Sequence, residues 1–407
     1  MRIMGKNILI LTHEYSSDTK PNARWTKVVS YFAREWAKDN RVIVIVNSSK
    51  FPKFYFFFGR IVKWVAKRNS KDPALITDQT WRESFDFDDA GIRVYNRPML
   101  KLFPHAKYLD CQLKRQKKEI VAILKENNFV PDIVDGHWLN PQLDLIISLG
   151  QYYNAKTAIV LHREAKTSSY YTREIEMKLN LIGKVGCRSH YGAKVLSENL
   201  TLKEMPFVCS SGITDKYVET AVTDKKVFSS SLTQIVTVSR LLDWKCIDSA
   251  IKGVYDSFAG RSFQYKIMGE GPERESIQAL INENKIQDQI KLTGKIPREE
   301  VIENLKGADL FVLISKNETF GLVYLEAMLQ GCITIASKNG GVDGIIVDGE
   351  NGFLCNEGDE QDLERTIKKI LCLSNEEKQA VSLRARQTAL NYTDSKVAKR
   401  YLDIISQ

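Results

Sequence analysis

The chain reads as an α/β protein built from two doubly wound parallel sheets, and three observations predict it. Short β-branched runs alternate with helical stretches along all 407 residues, the pattern of parallel strands joined by crossover helices. That length exceeds what one core usually organises and suits two domains of about 200 residues each. A polar stretch poor in large aliphatics, 212–231, divides two runs of elements, and its end at Ser229 to Leu232 (SSSL) announces a fresh strand.

In the first half the expected strands are Asn7–Thr12, Arg41–Asn47, Gly91–Tyr95, Asp132–Gly136, Lys156–His162, Lys184–Cys187 and Pro206–Ser210. Runs such as NILILT and RVIVIVN are apolar on both faces, which suits strands covered by helices on each side. In the second half they are Gln234–Ser239, Gln264–Met268, Ile290–Thr293, Leu310–Ser315, Ile333–Ser337 and a short Gly352–Cys355. Helical segments of ordinary length fall between them. This places one domain over residues 1–211 and a second over 212–390, with a last segment, 391–407, whose helix is free to cross back to the first domain. Two such domains facing each other would leave a cleft between the carboxyl edges of their sheets, where folds of this class seat ligands.

Charge is unevenly spread. Of 59 Lys and Arg and 50 Asp and Glu, residues 1–200 hold 33 and 20, so the first half is at +13 and the remainder at −4. An excess confined to one half suits an anionic partner such as a phospholipid surface. The seven cysteines, scattered and without a CxxC pair, read as reduced thiols of a cytosolic protein rather than a disulfide or zinc framework. Asn7–Thr12 is too short for a signal-peptide core and reads as the first strand. No stretch reads as a transmembrane span, because Arg60 and Lys63 interrupt the most apolar one.

Four blocks in the second half carry chemistry. Asn317 to Met328 (NETFGLVYLEAM) follows the apolar run DLFVLIS, so Glu318 falls in a loop after a strand and Glu326 one turn into the helix that follows. The amides of Thr319, Phe320, Gly321 and Leu322 then open a helix without intrahelical partners, a setting that receives an anion, with carboxylates beside it for sugar hydroxyls. Val238 to Lys245 (VSRLLDWK) sets Arg240 and Lys245 after a strand. Met268 to Arg274 (MGEGPER) is a glycine turn that permits close backbone approach at Gly269, and Leu292 to Glu300 (LTGKIPREE) contains Gly294, Lys295 and Ile296.

Taken in order, these blocks resemble the retaining GT-B-type glycosyltransferases of family GT4, the glycosyl transferases group 1. The resemblance implies a GT-B fold, two Rossmann-like doubly wound domains facing each other across a cleft, the second binding the nucleotide sugar and the first the acceptor. It implies that Arg240 and Lys245 bind the donor pyrophosphate and neutralise it as it leaves, a role that cations fixed in a dry site perform without reorganisation. By the same likeness Glu318 holds sugar hydroxyls, Glu326 holds the ribose, and the segment Gly294 to Ile296 seats the base. One departure is visible. Where many relatives carry Pro-Glu after paired glycines, this chain reads Val342-Asp343-Gly344 after Gly340 and Gly341, ahead of the matching DGENGFL at Asp348 to Leu354.

In the first half, His162 ends the strand KTAIVLH and matches a histidine that contacts the donor sugar near the reacting carbon. His137, in DGHWLNP, and His13, after the first strand, are expected on the acceptor side. Arg24 stands in a loop where relatives carry paired glycines, and supplies charge there. Asp86-Phe87-Asp88-Asp89 imitates a metal-binding D-x-D motif but is read as a solvated loop far from any donor block. No metal or cofactor is expected, since Arg240, Lys245 and the helix amides take over charge neutralisation.

Lys50 to Arg68 has six basic residues, seven aromatics and no acid, a composition that suits attachment to an anionic membrane surface. The expectation is a cytoplasmic enzyme, peripheral on the inner face of the membrane. It moves a hexosyl unit from a UDP- or GDP-sugar to a glycan or lipid-linked saccharide in capsule, exopolysaccharide or lipopolysaccharide synthesis, and binds no nucleic acid. The rivals are a nucleotide-sugar epimerase or phosphorylase on the same fold, and a non-catalytic nucleotide-sugar-binding subunit.

Overall fold

The computed structural model describes residues 5–21, 26–51, 83–101, 107–162, 172–221, 226–228, 232–316 and 318–407. The chain divides into two compact units, Met1–Cys187 with Val195–Phe207 and Ala398–Gln407, and Arg188–Lys194 with Val208–Val397. It therefore passes between units four times, where sequence alone suggested one junction near residue 211 and a returning tail.

The first unit carries β1 (Asn7–Thr12), β2 (Arg41–Val46), β3 (Ser49–Lys50), β4 (Phe85–Asp89), β5 (Ile92–Asn96), β6 (Met99–Leu100), β7 (Ile133–His137), β8 (Lys156–Leu161) and β9 (Lys184–Cys187), with β10 (Phe207–Val208) at its boundary. Eight of these form one sheet in the order β10-β9-β8-β7-β1-β2-β5-β4, and β3 pairs with β6 separately. From β9 to β5 every pairing is parallel; β4 runs antiparallel on the edge. Strand order reverses between β1 and β7, so the residues that follow these two strands flank the switch point. His13 follows β1, and Trp138 follows His137, the last residue of β7.

The helix Val28–Ala37 buries Val28, Val29, Phe32 and Trp36. Its Trp36 indole donates to the Ala398 carbonyl at 2.9 Å, and the Tyr401 hydroxyl donates to Asp135 at 2.6 Å. These two bonds fasten the end of the helix Asp394–Ile405 into the first unit.

Residues Asp86 to Asp89 are not a solvated loop. They lie in β4, whose alternating exposure follows the period-two pattern Phe-Asp-Phe-Asp that the density of acids disguised. Asp89 is fully buried and accepts from the Tyr15 hydroxyl at 2.7 Å, from Thr19 Oγ1 at 2.7 Å and from Arg34 at 3.1 Å. Burial pushes its carboxyl up, but the donors Thr19, Tyr15 and Arg34 outweigh burial and hold it below 3.8. The knot ties the segment after β1 to the edge of the sheet.

The second unit holds β11 (Gln234–Val238), β12 (Gln264–Met268), β13 (Ile290–Gly294), β14 (Leu310–Leu313), β15 (Ile333–Ser337) and β16 (Phe353–Cys355). They form one sheet ordered β13-β12-β11-β14-β15-β16, parallel throughout. This is the Rossmann order, with its switch point between β11 and β14. A continuous core of Ile, Leu, Val and Phe fills both faces. None of the seven cysteines is in a disulfide; Cys111 and Cys372 are exposed and the others buried.

Asp89→Ala is expected to destabilise the fold by about 2 kcal/mol, since it leaves the buried Tyr15 hydroxyl without its acceptor and takes from Arg34 one of its two carboxylates, the other being Asp18; urea unfolding measures this. Because the Asp89 carboxyl is held below 3.8 in the fold, its contribution is complete above that pH and is lost as pH falls through the folded value. Asp89→Asn should accordingly flatten the acid limb of the stability profile, and an unchanged limb would refute the assignment.

Candidate functional site

The switch point of the second sheet brings the sequence blocks together. β11 and β14 pair side by side, Ile235 with Leu310 and Val236 with Phe311, so the loops that leave their carboxyl ends are neighbours. Arg240 and Lys245 lie in the first loop, Glu318 in the second. Lys245 Nζ forms an ion pair with Glu318 Oε2, both side chains mostly buried, and the Lys316 amide donates to the Trp244 carbonyl at 2.7 Å.

A backbone seam fixes the other side of this edge. Ser239 donates to Met268 at 3.0 Å, Leu241 to Glu270 at 3.0 Å, Glu273 to Leu241 at 3.2 Å and Gly269 to Gly294 at 2.9 Å. The approach is so close that a Cβ at Gly269 would lie 1.7 Å from the Ser239 carbonyl oxygen, and one at Gly271 2.1 Å from that of Leu241. Glycine is obligatory at both positions. Arg240 projects from this seam exposed, with no ion pair among the described residues. Beyond the seam Lys295 is exposed and Ile296 half-buried.

Gly321, at φ 75°, caps the helix Leu322–Leu329. The amides of Thr319, Phe320, Gly321 and Leu322 have no acceptor among the described residues, so the turn keeps the donors that a helix start offers an anion. Sequence did not single out Arg188, which follows β9 and is 3% exposed. Its guanidinium donates to Ser211 Oγ and to Cys209 Sγ at 3.4 Å and lies 5.8 Å from the Phe320 ring centroid. No carboxylate partners it among the described residues, so its charge adds to the positive potential at the turn.

Glu326 is buried to 3% exposure. Its Oε1 accepts from Arg298, whose side chain is 56% exposed, while its Oε2 has no partner among the described residues. Burial raises its carboxyl above 4.5 against the opposing pull of Arg298. Arg298 also lies over the Tyr217 ring, 4.8 Å from the centroid. Arg298 stands in the quoted block LTGKIPREE but was given no role there, and Tyr217 carried no signal at all, because neither belongs to a spacing pattern.

In the first unit His162 and His137 touch. His137 Nδ1 is 2.9 Å from His162 Nε2, and Trp138 stacks on the His162 ring with centroids 3.9 Å apart. His137 does not line a surface as its sequence position suggested. It is fully buried, stacked on Phe32 at 6.1 Å, with Asp135 Oδ2 3.4 Å from its Nε2, and so acts as a support behind His162. His13 is turned to local backbone, its Nδ1 3.3 Å from the Asn47 carbonyl oxygen. Burial, with the nearby charge of Lys101, pushes it down to about 4 despite that carbonyl, so it is neutral at physiological pH. Arg24 and most of Lys50 to Arg68 lie outside the described residues. Among the described residues no group of three or more His, Cys, Asp or Glu is placed to hold a metal ion, and no helix is long and apolar enough to cross a membrane.

Comparison with known proteins places this geometry. Residues 220–388 match the model of the glycosyl transferases group 1 family. The chain is 40% identical over 93 residues to an N-acetyl-alpha-D-glucosaminyl L-malate synthase of Bacillus anthracis, covering 23% of this chain and 24% of that one. It is 27% identical over 181 residues to the putative colanic acid biosynthesis glycosyltransferase WcaL of Salmonella typhimurium, covering 43% and 45%. The matched segments thus span between a quarter and a half of these curated relatives. In fold the likeness covers the whole chain: the crystal structure of Anabaena HepE in complex with UDP and glucose superposes with a TM-score of 0.61 at 16% identity, over 98% of this chain and 99% of that one. Over residues 220–388 this chain is thus similar to the glycosyl transferases group 1 family, and its two Rossmann-like halves have the GT-B fold.

Proposed function

We propose that the chain is a retaining glycosyltransferase that moves a hexosyl unit from a nucleoside-diphosphate sugar to a glycan or lipid-linked saccharide in surface polysaccharide assembly. The observation that carries this reading is the gathering of Arg240, Lys245, Glu318, Glu326 and four open amides on the carboxyl edge of one sheet. Relatives named for colanic acid biosynthesis support the polysaccharide context.

In this mechanism the diphosphate lies on the turn Thr319 to Leu322, with Arg240 and Lys245 against its oxygens. The bond from the anomeric carbon to the phosphate oxygen breaks, and the negative charge that develops on the diphosphate meets cations already in place. The acceptor hydroxyl attacks from the same face, forms the new glycosidic bond and passes its proton to the departing phosphate oxygen. Glu318 orients the sugar hydroxyls, and its ion pair with Lys245 keeps both side chains in register before the donor arrives. Charge neutralisation in this scheme requires no metal ion.

A thermal-shift screen of UDP-, GDP- and ADP-sugars identifies the donor, since a ligand bound only by the folded state raises its midpoint. With that donor, Lys245→Ala is expected to lower kcat by about 10²- to 10³-fold with an unchanged circular dichroism spectrum, read as acceptor-dependent release of nucleoside diphosphate. Near-normal turnover, or sugar isomerisation without acceptor, would overturn the reading.

Glu326→Gln separates stability from activity. A carboxyl that burial holds above the usual range in the fold costs stability wherever it is ionised, so the amide should raise stability at pH 7. The gain should vanish as pH falls below 4.5, while transfer is lost at every pH. Denaturation across pH measures the first effect and turnover the second.

We further propose peripheral membrane attachment through the basic first half and Lys50 to Arg68. Cosedimentation with vesicles containing phosphatidylserine, absent with phosphatidylcholine alone and weakened by salt, is the expected result; equal recovery on both would refute it.

A further inference from the structure

Tyr217 and Glu326 each present to the same small region a buried polar atom with no hydrogen-bond partner among the described residues. The Tyr217 hydroxyl and Glu326 Oε2 are both enclosed and unsatisfied among the described residues, in side chains 6% and 3% exposed. Native folds leave few such groups, because a buried donor or acceptor without a partner is costly. The two are neighbours through one side chain: the Arg298 guanidinium donates to Glu326 Oε1 and covers the Tyr217 ring at 4.8 Å. Burial raises the Tyr217 phenol above its ordinary value, and the Glu326 carboxylate raises it further, so the hydroxyl keeps its proton and serves as a donor.

We propose that Tyr217 is a specificity-determining residue that completes a two-point site for a vicinal diol, with Glu326 Oε2 accepting from one hydroxyl and the Tyr217 phenol donating to the other, under a displaceable Arg298 cover. The diol is the ribose of the donor nucleotide; this rests on the donor-site reading above. Arg298 is suited to the role of cover because its side chain is more than half exposed while the two groups beneath it are closed off. A site in which two unpaired polar groups await two hydroxyls rejects a ligand that lacks one, since a group then stays buried and unsatisfied. The helix Asp215–Glu219 that carries Tyr217 lies outside the four motif blocks, which is why spacing gave no hint of it.

Calorimetric titration with UDP, GDP and ADP, and with the 2′-deoxy and 3′-deoxy form of whichever binds, tests the proposal. Wild type should bind the ribonucleotide at least tenfold more tightly than either deoxy form. Tyr217→Phe should weaken ribonucleotide binding about tenfold and close the gap to one deoxy form by that factor. Its thermal midpoint should not fall, because the lost hydroxyl has no partner among the described residues. Arg298→Ala should leave the ratio of ribo to deoxy affinity in place. An unchanged ratio in Tyr217→Phe, or a ratio abolished by Arg298→Ala, overturns the diol site alone. Failure of wild type to bind any of the three diphosphates overturns the donor-site reading and the diol site with it.

Discussion

The seam that joins the carboxyl ends of β11, β12 and β13 is the constraint on which the candidate site depends. Backbone atoms of the segments 239–241 and 269–273 approach so closely that Gly269 and Gly271 accept no side chain, and the hydrogen bonds between them leave the loop after β11 little freedom. Arg240 is thereby held at a strand end without an ion pair among the described residues, and Lys245 is delivered to Glu318 across the switch point. A parallel sheet alone would bring these loops near one another. The seam turns nearness into fixed geometry, which is what electrostatic stabilisation of a leaving group demands.

Charge in the second unit is held in tension rather than cancelled. Arg188 is buried against neutral partners and an aromatic face, and among the described residues Arg240 has no ion pair and the amides at the helix start no acceptor. Against them stand Glu318, shared with Lys245, and Glu326, whose burial disfavours its own ionisation. Such an arrangement costs stability, and natural folds keep costs of this kind where a ligand relieves them.

Much of this was legible in the sequence. The inner strands β1, β2, β8, β11, β14 and β15 announce themselves as largely aliphatic runs buried on both faces, and the loops after β11 and β14 carry the charged residues of the site. What escaped has identifiable physical causes. The edge strand β4 was hidden because Asp86, Asp88 and Asp89 look like solvent, although Asp89 is among the most deeply buried carboxylates in the chain. His137 occupies a strand-end position that suggests a surface role, and only the packing of Phe32 and Tyr401 around it shows that it is enclosed. Arg188, Tyr217 and Arg298 meet their partners through the fold, across separations in sequence that no periodicity records.

The crossing of the chain at Val397 and Ala398 bears on how the protein is made. The first unit draws its final ten residues, Ala398 to Gln407, from beyond the whole of the second, and these supply the carbonyl for Trp36 and the hydroxyl for Asp135. A ribosome adding roughly 5 to 20 residues per second leaves the face around Phe32, Trp36 and Asp135 uncovered for on the order of ten to forty seconds after Cys187 has emerged. During that interval an apolar surface is open to chaperones or to wrong partners, and the whole second unit must be synthesised before the first can close.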